Sequence, residues 1–152
     1  MTLAAGGCGG DSSDESLGEY FKKAEEATHR AEERTADAAS EPFDGEAIRR
    51  GADILRDLRD NIRDIVPPTV VAAEHNALRD ALGNLSAHID DLLNRVAQAD
   101  SRAELDALNE EWFDNPRGNE LEDRVRTACA DLQQAADTHR INVDLCYKPG
   151  SR

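Results

Sequence analysis

An unbroken four-three alternation of apolar positions constrains this chain more than any other feature: Val71, His75, Leu78, Leu82, Leu85, Ile89, Leu92, Val96 and Ala99. A helix brings residues three and four apart onto one face, and alternating the two steps makes a seam that repeats every seven residues. A strand would alternate every second residue, which this stretch does not do. The spacing predicts one long helix over 68–99, and a helix with such a stripe needs partner helices to cover it. A second seam, Ile48, Gly51, Leu55, Leu58, Ile62 and Ile65, predicts a helix over 45–65. Its remaining positions are largely Arg and Asp. The i,i+4 pairs Arg49/Asp53 and Arg56/Asp60 read as a solvated face, at about 0.3–0.5 kcal/mol per pair. Pro67-Pro68 separates the two helices, because proline is unwelcome in a helix interior but fits a first turn.

The other elements follow the same logic. Leu17, Phe21, Ala24, Thr28 and Ala31 predict a first helix over 15–39, with a face that is mostly alanine after Phe21. Residues 40–45 form a loop with Asp44 as a candidate N-cap. Ser101-Arg102-Ala103-Glu104 is a capping box that starts a short helix carrying Leu105, Leu108 and Trp112. Asp114-Asn115-Pro116-Arg117-Gly118 breaks or kinks it. Leu121, Val125, Ala128, Leu132, Ala135 and His139 predict a last helix over 119–139, after which Ile141, Val143 and Leu145 alternate with polar residues. That end is expected to be extended and laid on the bundle. Short connections imply antiparallel neighbours. The expected fold is all-α: an antiparallel up-down four-helix bundle over 15–152, its last arm split into two helices, preceded by a flexible segment over 1–14.

Composition narrows both core and partners. Aromatic residues are 4% of the 152, so the core must come from Leu, Ile, Val and Ala. The net charge of -14 repels nucleic acid, whose binding rests on neutralised phosphates, and disfavours anionic lipid surfaces. No run of about 18 apolar residues exists to span a membrane.

There are three cysteines. Leu3-Ala4-Ala5-Gly6-Gly7-Cys8 resembles a bacterial lipobox, in which small residues admit the signal peptidase and the thiol carries diacylglycerol. Gly9-Gly10-Asp11-Ser12-Ser13-Asp14-Glu15-Ser16 resembles the acidic tether that follows the lipidated cysteine in lipoproteins of high-GC Gram-positive bacteria. The pattern's basic and hydrophobic regions are missing upstream, and the resemblance implies a start earlier than Met1. The competing reading of Cys8 is an incidental free thiol on a flexible end. Cys129 and Cys146 remain, an even number that fits a disulfide in an oxidising compartment. A helix from Cys129 to about residue 139 advances ~15 Å, and an extended return to Cys146 covers ~20 Å, so the tail can double back. The alternative is two buried free thiols in a cytosolic protein. The spacing fits neither a zinc site nor a CxxC redox motif.

Chemistry-bearing residues are sparse. His75 sits on the apolar seam, as a core residue with bonded ring nitrogens or as a ligand or pH switch. Glu26-Ala27-Thr28-His29 has the E-x-x-H spacing of di-iron bundles, but the second copy is absent and His29 lies off the stripe. His88 and His139 have no sequence partners. No metal site is expected, and no cofactor: there is no CxxCH, and the one methionine is Met1, so haem lacks an axial methionine. No nucleophile elbow, P-loop, H-E-x-x-H or EF-hand motif exists. Trp112-Phe113 reads as core, or as a docking patch near the kink.

Leu58-x-x-x-Ile62, Pro67-Pro68 and His75-x-x-Leu78-x-x-x-Leu82, with Cys129 and Cys146, resemble a pattern in acidic helical-bundle lipoproteins of the actinobacterial type. The similarity runs from about Glu46 onward and carries no assigned activity or catalytic residue. It implies a helical bundle on the outer face of the cytoplasmic membrane, touching the membrane only through Cys8. The tether, the seams and the absence of a catalytic constellation lead to the expectation of a non-enzymatic lipoprotein working through an unknown protein partner or as a spacer. The alternative is a small-ligand or metal-binding bundle using His75 with nearby carboxylates.

Overall fold

The computed structural model describes residues 11–39, 45–113 and 115–146. Within them every regular element is helical: α1 (Asp11–Ala39), α2 (Gly45–Asp64), a 3-10 turn (Thr69–Val71), α3 (Ala72–Gln98), α4 (Arg102–Phe113) and α5 (Pro116–Thr138). The protein is a helical bundle, and none of its described helices is long and apolar enough to cross a membrane. Cys8, the loop with Asp44, and the side chains of Leu105, Trp112 and Phe113 lie outside the described residues.

α3 is the central element. It packs on α2, on α5 and on α4, while α1 packs on α2. Its seam explains why: His75, Leu78, Leu82, Leu85 and Leu92 are all buried, preceded by Val71. One continuous core joins Leu17, Phe21 and Ala24 of α1 with Ile62, Val71, Leu82, Leu132, Ala136 and Leu145. Polar links run along the α2–α3 junction. Arg56 reaches Asp90, and Arg59 donates to the buried Ser86 hydroxyl at 3.0 Å. The expected Arg56/Asp60 pair is not formed; Asp60 is met by Arg59 and Arg63, and Arg56 turns to Asp53 and across to α3. The reason is geometric, since a carboxylate on a packed neighbour competes with one a turn away.

The element boundaries differ from the periodicity in instructive ways. α1 begins at Asp11, so the segment expected to be flexible is helical from there. Asp and Ser are residue types that suit a helix N-terminus, where the dipole favours negative charge. α3 is entered through a 3-10 turn in which Val71 donates its N–H to Pro68 O at 3.1 Å. α5 starts at Pro116 rather than near residue 119. Asn115 caps it: its Oδ1 accepts from Arg117 N and Gly118 N at 3.0 and 3.1 Å, and Pro116 takes the first helical position, where no N–H is needed. The expected break is there, since α4 ends at Phe113, and it doubles as the start of α5. The capping box of α4 forms as expected on its Ser101 side, which accepts from Glu104 N, while the Glu104 carboxylate reaches Asp100 N.

Three faces are turned from where a strict seven-residue repeat places them. On α2, Gly51 is exposed and Ala52 and Ile54 are buried. On α1, Tyr20 and Ala27 are buried, whereas Thr28 and Ala31 are half-buried. On α5, Ala136 is buried and His139 is an exposed C-cap. A straight helix of 3.6 residues per turn drifts against a seven-residue repeat, so the inner stripe wanders by a residue.

Leu132→Ala is expected to cost roughly 2–5 kcal/mol, because it empties a site that is 1% exposed. Val66→Ser, at a residue 87% exposed, is expected to stay within about 0.5 kcal/mol. Urea midpoints of the two variants read out the contrast.

Candidate functional site

Three places in the bundle combine buried or part-buried polar groups from distant parts of the chain. The first is the seam histidine. His75 is 2% exposed, and its Nδ1 lies 3.0 Å from the Tyr20 hydroxyl of α1. The rings meet edge-on with centroids 5.7 Å apart, and Tyr20 makes a second edge contact with Phe21 at 5.1 Å. Burial pushes the phenol's pKa up, with Glu74 adding to the rise, so Tyr20 keeps its proton. Burial pushes the imidazole's pKa down, helped by Arg79, so His75 is held neutral. A protonated phenol and a neutral ring form one hydrogen bond here, with the ring proton on Nε2 when the phenol donates to Nδ1. Tyr20 was the missing member of this site. Its signal in the sequence was present, since it adjoins Phe21 and sits one helical turn before Ala24, but a seven-residue stripe skips it.

A cleft of about 440 Å³ opens beside this pair. Its walls are Glu19, Tyr20 and Lys23 of α1, and Asp64, Val66 and Pro67 at the end of α2. Val66 and Val70, 87% and 62% exposed, flank the double proline. Among the described residues no group of three His, Cys, Asp or Glu side chains stands close enough to hold a metal ion.

The second place is the C-terminal strap, residues 141–146. The chain leaves α5 through His139 and Arg140, the latter at φ 57°, and turns back along the helix. Leu145 is buried in the core, with Ile141 and Val143 packed against it. Cys146 is joined to Cys129 in a disulfide with Cα atoms 6.0 Å apart. Extended backbone presents its N–H and C=O groups on two edges, and here side chains meet both. On one edge the Gln133 amide donates to Val143 O at 3.0 Å and accepts from Leu145 N at 2.8 Å. On the other, Glu25 accepts from Asp144 N at 2.8 Å and His29 Nε2 donates to Asp144 O at 3.1 Å. The E-x-x-H histidine thus holds backbone, and its partner in that task is Glu25, four residues earlier, rather than Glu26.

The third place is the entry to α5. Asn115 is 9% exposed; while its oxygen caps the helix, its Nδ2 donates to His88 Nε2 of α3 at 3.0 Å. The capping role fixes which amide atom is nitrogen, and so fixes the His88 proton on Nδ1. Nearby, Arg95 grips Glu111 of α4 through two bonds of 2.7 and 2.6 Å, which holds that carboxyl below its usual range. The structure does not bring His29, His75 and His88 together; each is used at a separate junction.

The chain matches no known family model, no curated protein and no solved structure.

Tyr20→Phe is expected to cost about 1–3 kcal/mol, because it leaves a buried ring nitrogen without its hydrogen-bond partner. The His75 contribution also depends on pH. Above the ordinary histidine value of 6.5, folded and unfolded chains both carry a neutral ring and the contribution is complete. Below it the unfolded chain takes up a proton that the folded chain refuses, so stability falls until the folded ring itself titrates. His75→Gln is expected to make the urea midpoint decline less steeply below pH 6.5 than in the parent chain.

Proposed function

We propose that this protein is a non-enzymatic cell-envelope lipoprotein, anchored through a lipidated Cys8 on the outer face of a bacterial cytoplasmic membrane, whose bundle serves as a protein-interaction or spacer module. In this reading the helices form an antiparallel up-down four-helix bundle, with the last arm divided between α4 and α5. The cross-links Arg56–Asp90 and Arg59–Ser86 support that arrangement, since the position on α3 falls as the position on α2 rises. The partner is a protein of unknown identity, and neither nucleic acid nor cofactor is involved.

The observation that carries the reading is the Cys129–Cys146 disulfide. Disulfides of this structural kind persist in oxidising compartments and are rare in the cytosol. Setting this pair aside leaves Cys8 as the third cysteine, in the lipobox-like context of Leu3 to Gly7. The interior supports a structural rather than catalytic role. His75, His88 and His29 are each committed to a bond that joins two helices or a helix and the strap. The resemblance to acidic lipoproteins of the actinobacterial type points the same way. A second reading, small-ligand or metal binding that involves His75, is favoured by one observation: the corner cleft is walled by Tyr20, the hydrogen-bond partner of His75.

The deciding measurement is the intact mass, under non-reducing conditions, of the protein from its native host, together with fractionation of Cys8→Ser. The expected result is a chain beginning at Cys8, bearing diacylglycerol, two hydrogens lighter for the bridge, and lost from the membrane fraction in the variant. A chain bearing no lipid, with three free thiols and a location unaffected by Cys8→Ser, overturns the reading.

A further inference from the structure

We propose that the groove between α1 and α5 is a docking site for extended backbone that seats the strap before any disulfide exists, and thereby selects Cys129–Cys146 as the bridge and leaves Cys8 unpaired. The inference goes beyond the anchor reading, and its selection against Cys8 applies to the chain whose Cys8 thiol is still free.

Gln133 is the fastening point on α5. Both atoms of its amide are used: Nε2 donates to Val143 O and to Asp137 Oδ1, both at 3.0 Å, while Oε1 accepts from Leu145 N. Asp137, one turn along α5, fixes the orientation of the amide, since a flipped group would set its oxygen against a carboxylate. The amide therefore offers a donor and an acceptor at the spacing that residues 143 and 145 of an extended chain present. Glu25 and His29, also one turn apart, make the matching pair for residue 144 on the opposite edge. This arrangement fixes register. A slip of one residue would exchange the two edges and turn Leu145 out of the core.

None of these contacts involves sulfur. Four hydrogen bonds and three apolar side chains hold the strap, and together they set the two cysteine Cα atoms 6.0 Å apart, within bridging range. Cys129 Sγ, in the bridge, lies 3.4 Å from Leu145 O. Bridge formation then proceeds as ordinary exchange. One cysteine thiolate attacks a disulfide oxidant and releases one thiol. The second cysteine attacks the mixed disulfide and releases the other. Two protein thiols and one oxidant disulfide become one protein disulfide and two thiols. Cys8 competes for the same oxidant and the same partners, and what favours Cys146 is the local concentration that docking supplies.

The test uses the full chain with Cys8 unmodified. In Cys129→Ser/Cys146→Ser the Asp144 and Leu145 amides are expected to remain protected from hydrogen exchange at least ~10-fold relative to an unstructured peptide. Exchange at free-peptide rates, or a chain that folds only with the bridge present, overturns the proposal. In refolding from the reduced state in a glutathione buffer, Gln133→Ala is expected to lower the effective molarity of the Cys129–Cys146 pair by roughly 10- to 100-fold and to raise the share of bridges to Cys8. Gln134→Ala, at the exposed neighbouring position, is expected to match the parent chain. Equal effective molarity and equal pairing in the two variants overturn the proposal.

Discussion

α3 has to be covered on more than one side at once, and most of the structure follows from meeting that demand. It lies against α2, α4 and α5, so no single partner could bury its stripe. With aromatic residues so scarce, the contact area must come from many aliphatic side chains in close approach. The alanines at 24, 27, 52, 81, 128 and 136 are buried and let the helices come near, while Phe21, Ile62, Leu82 and Leu132 fill the volume between them. A core built this way tolerates polar atoms only where a partner answers them. His75 and Ser86 are buried on α3, and each has its partner on a different helix, Tyr20 of α1 and Arg59 of α2.

The helices were legible because helix periodicity is written along a stretch of chain. The stripes of Val71–Ala99 and of Leu121–Leu132 name buried faces to within a residue. The limits of that legibility are physical. A stripe specifies which residues are inside but not what they meet, so Tyr20 as the partner of His75 was out of reach of sequence reading. Asn115-Pro116 reads as a break, and α4 does end at Phe113; that the same two residues are also the cap and first position of α5 depends on a helix following immediately. The surface pairing of Arg56 was misplaced because an intrahelical carboxylate competes with Asp90 on a neighbour that sequence spacing does not reveal.

The strap was anticipated as an extended segment, and the reach of Cys146 back to Cys129 was calculable from rise per residue. Its fastening was not. Gln133 lies among polar residues of α5, and Glu25 and His29 lie on the polar side of α1, where charge and amide groups ordinarily mean contact with water. Their function here arises because the last described residues return over the bundle and bring unpaired backbone to these side chains. The three histidines with partners share one economy: each joins segments far apart in sequence, by 55 residues for Tyr20–His75, 27 for His88–Asn115 and 115 for His29–Asp144.

The way the strap is held also bears on self-association. An extended segment in a helical protein ordinarily presents raw edges that can template pairing with another chain. Four of the strap's backbone groups, the Val143 and Asp144 carbonyls and the Asp144 and Leu145 N–H groups, are already engaged by side chains. That central part of the strap, whose alternating apolar residues would otherwise invite cross-chain ladders, is thereby shielded from acting as a seed for aggregation while it stays seated.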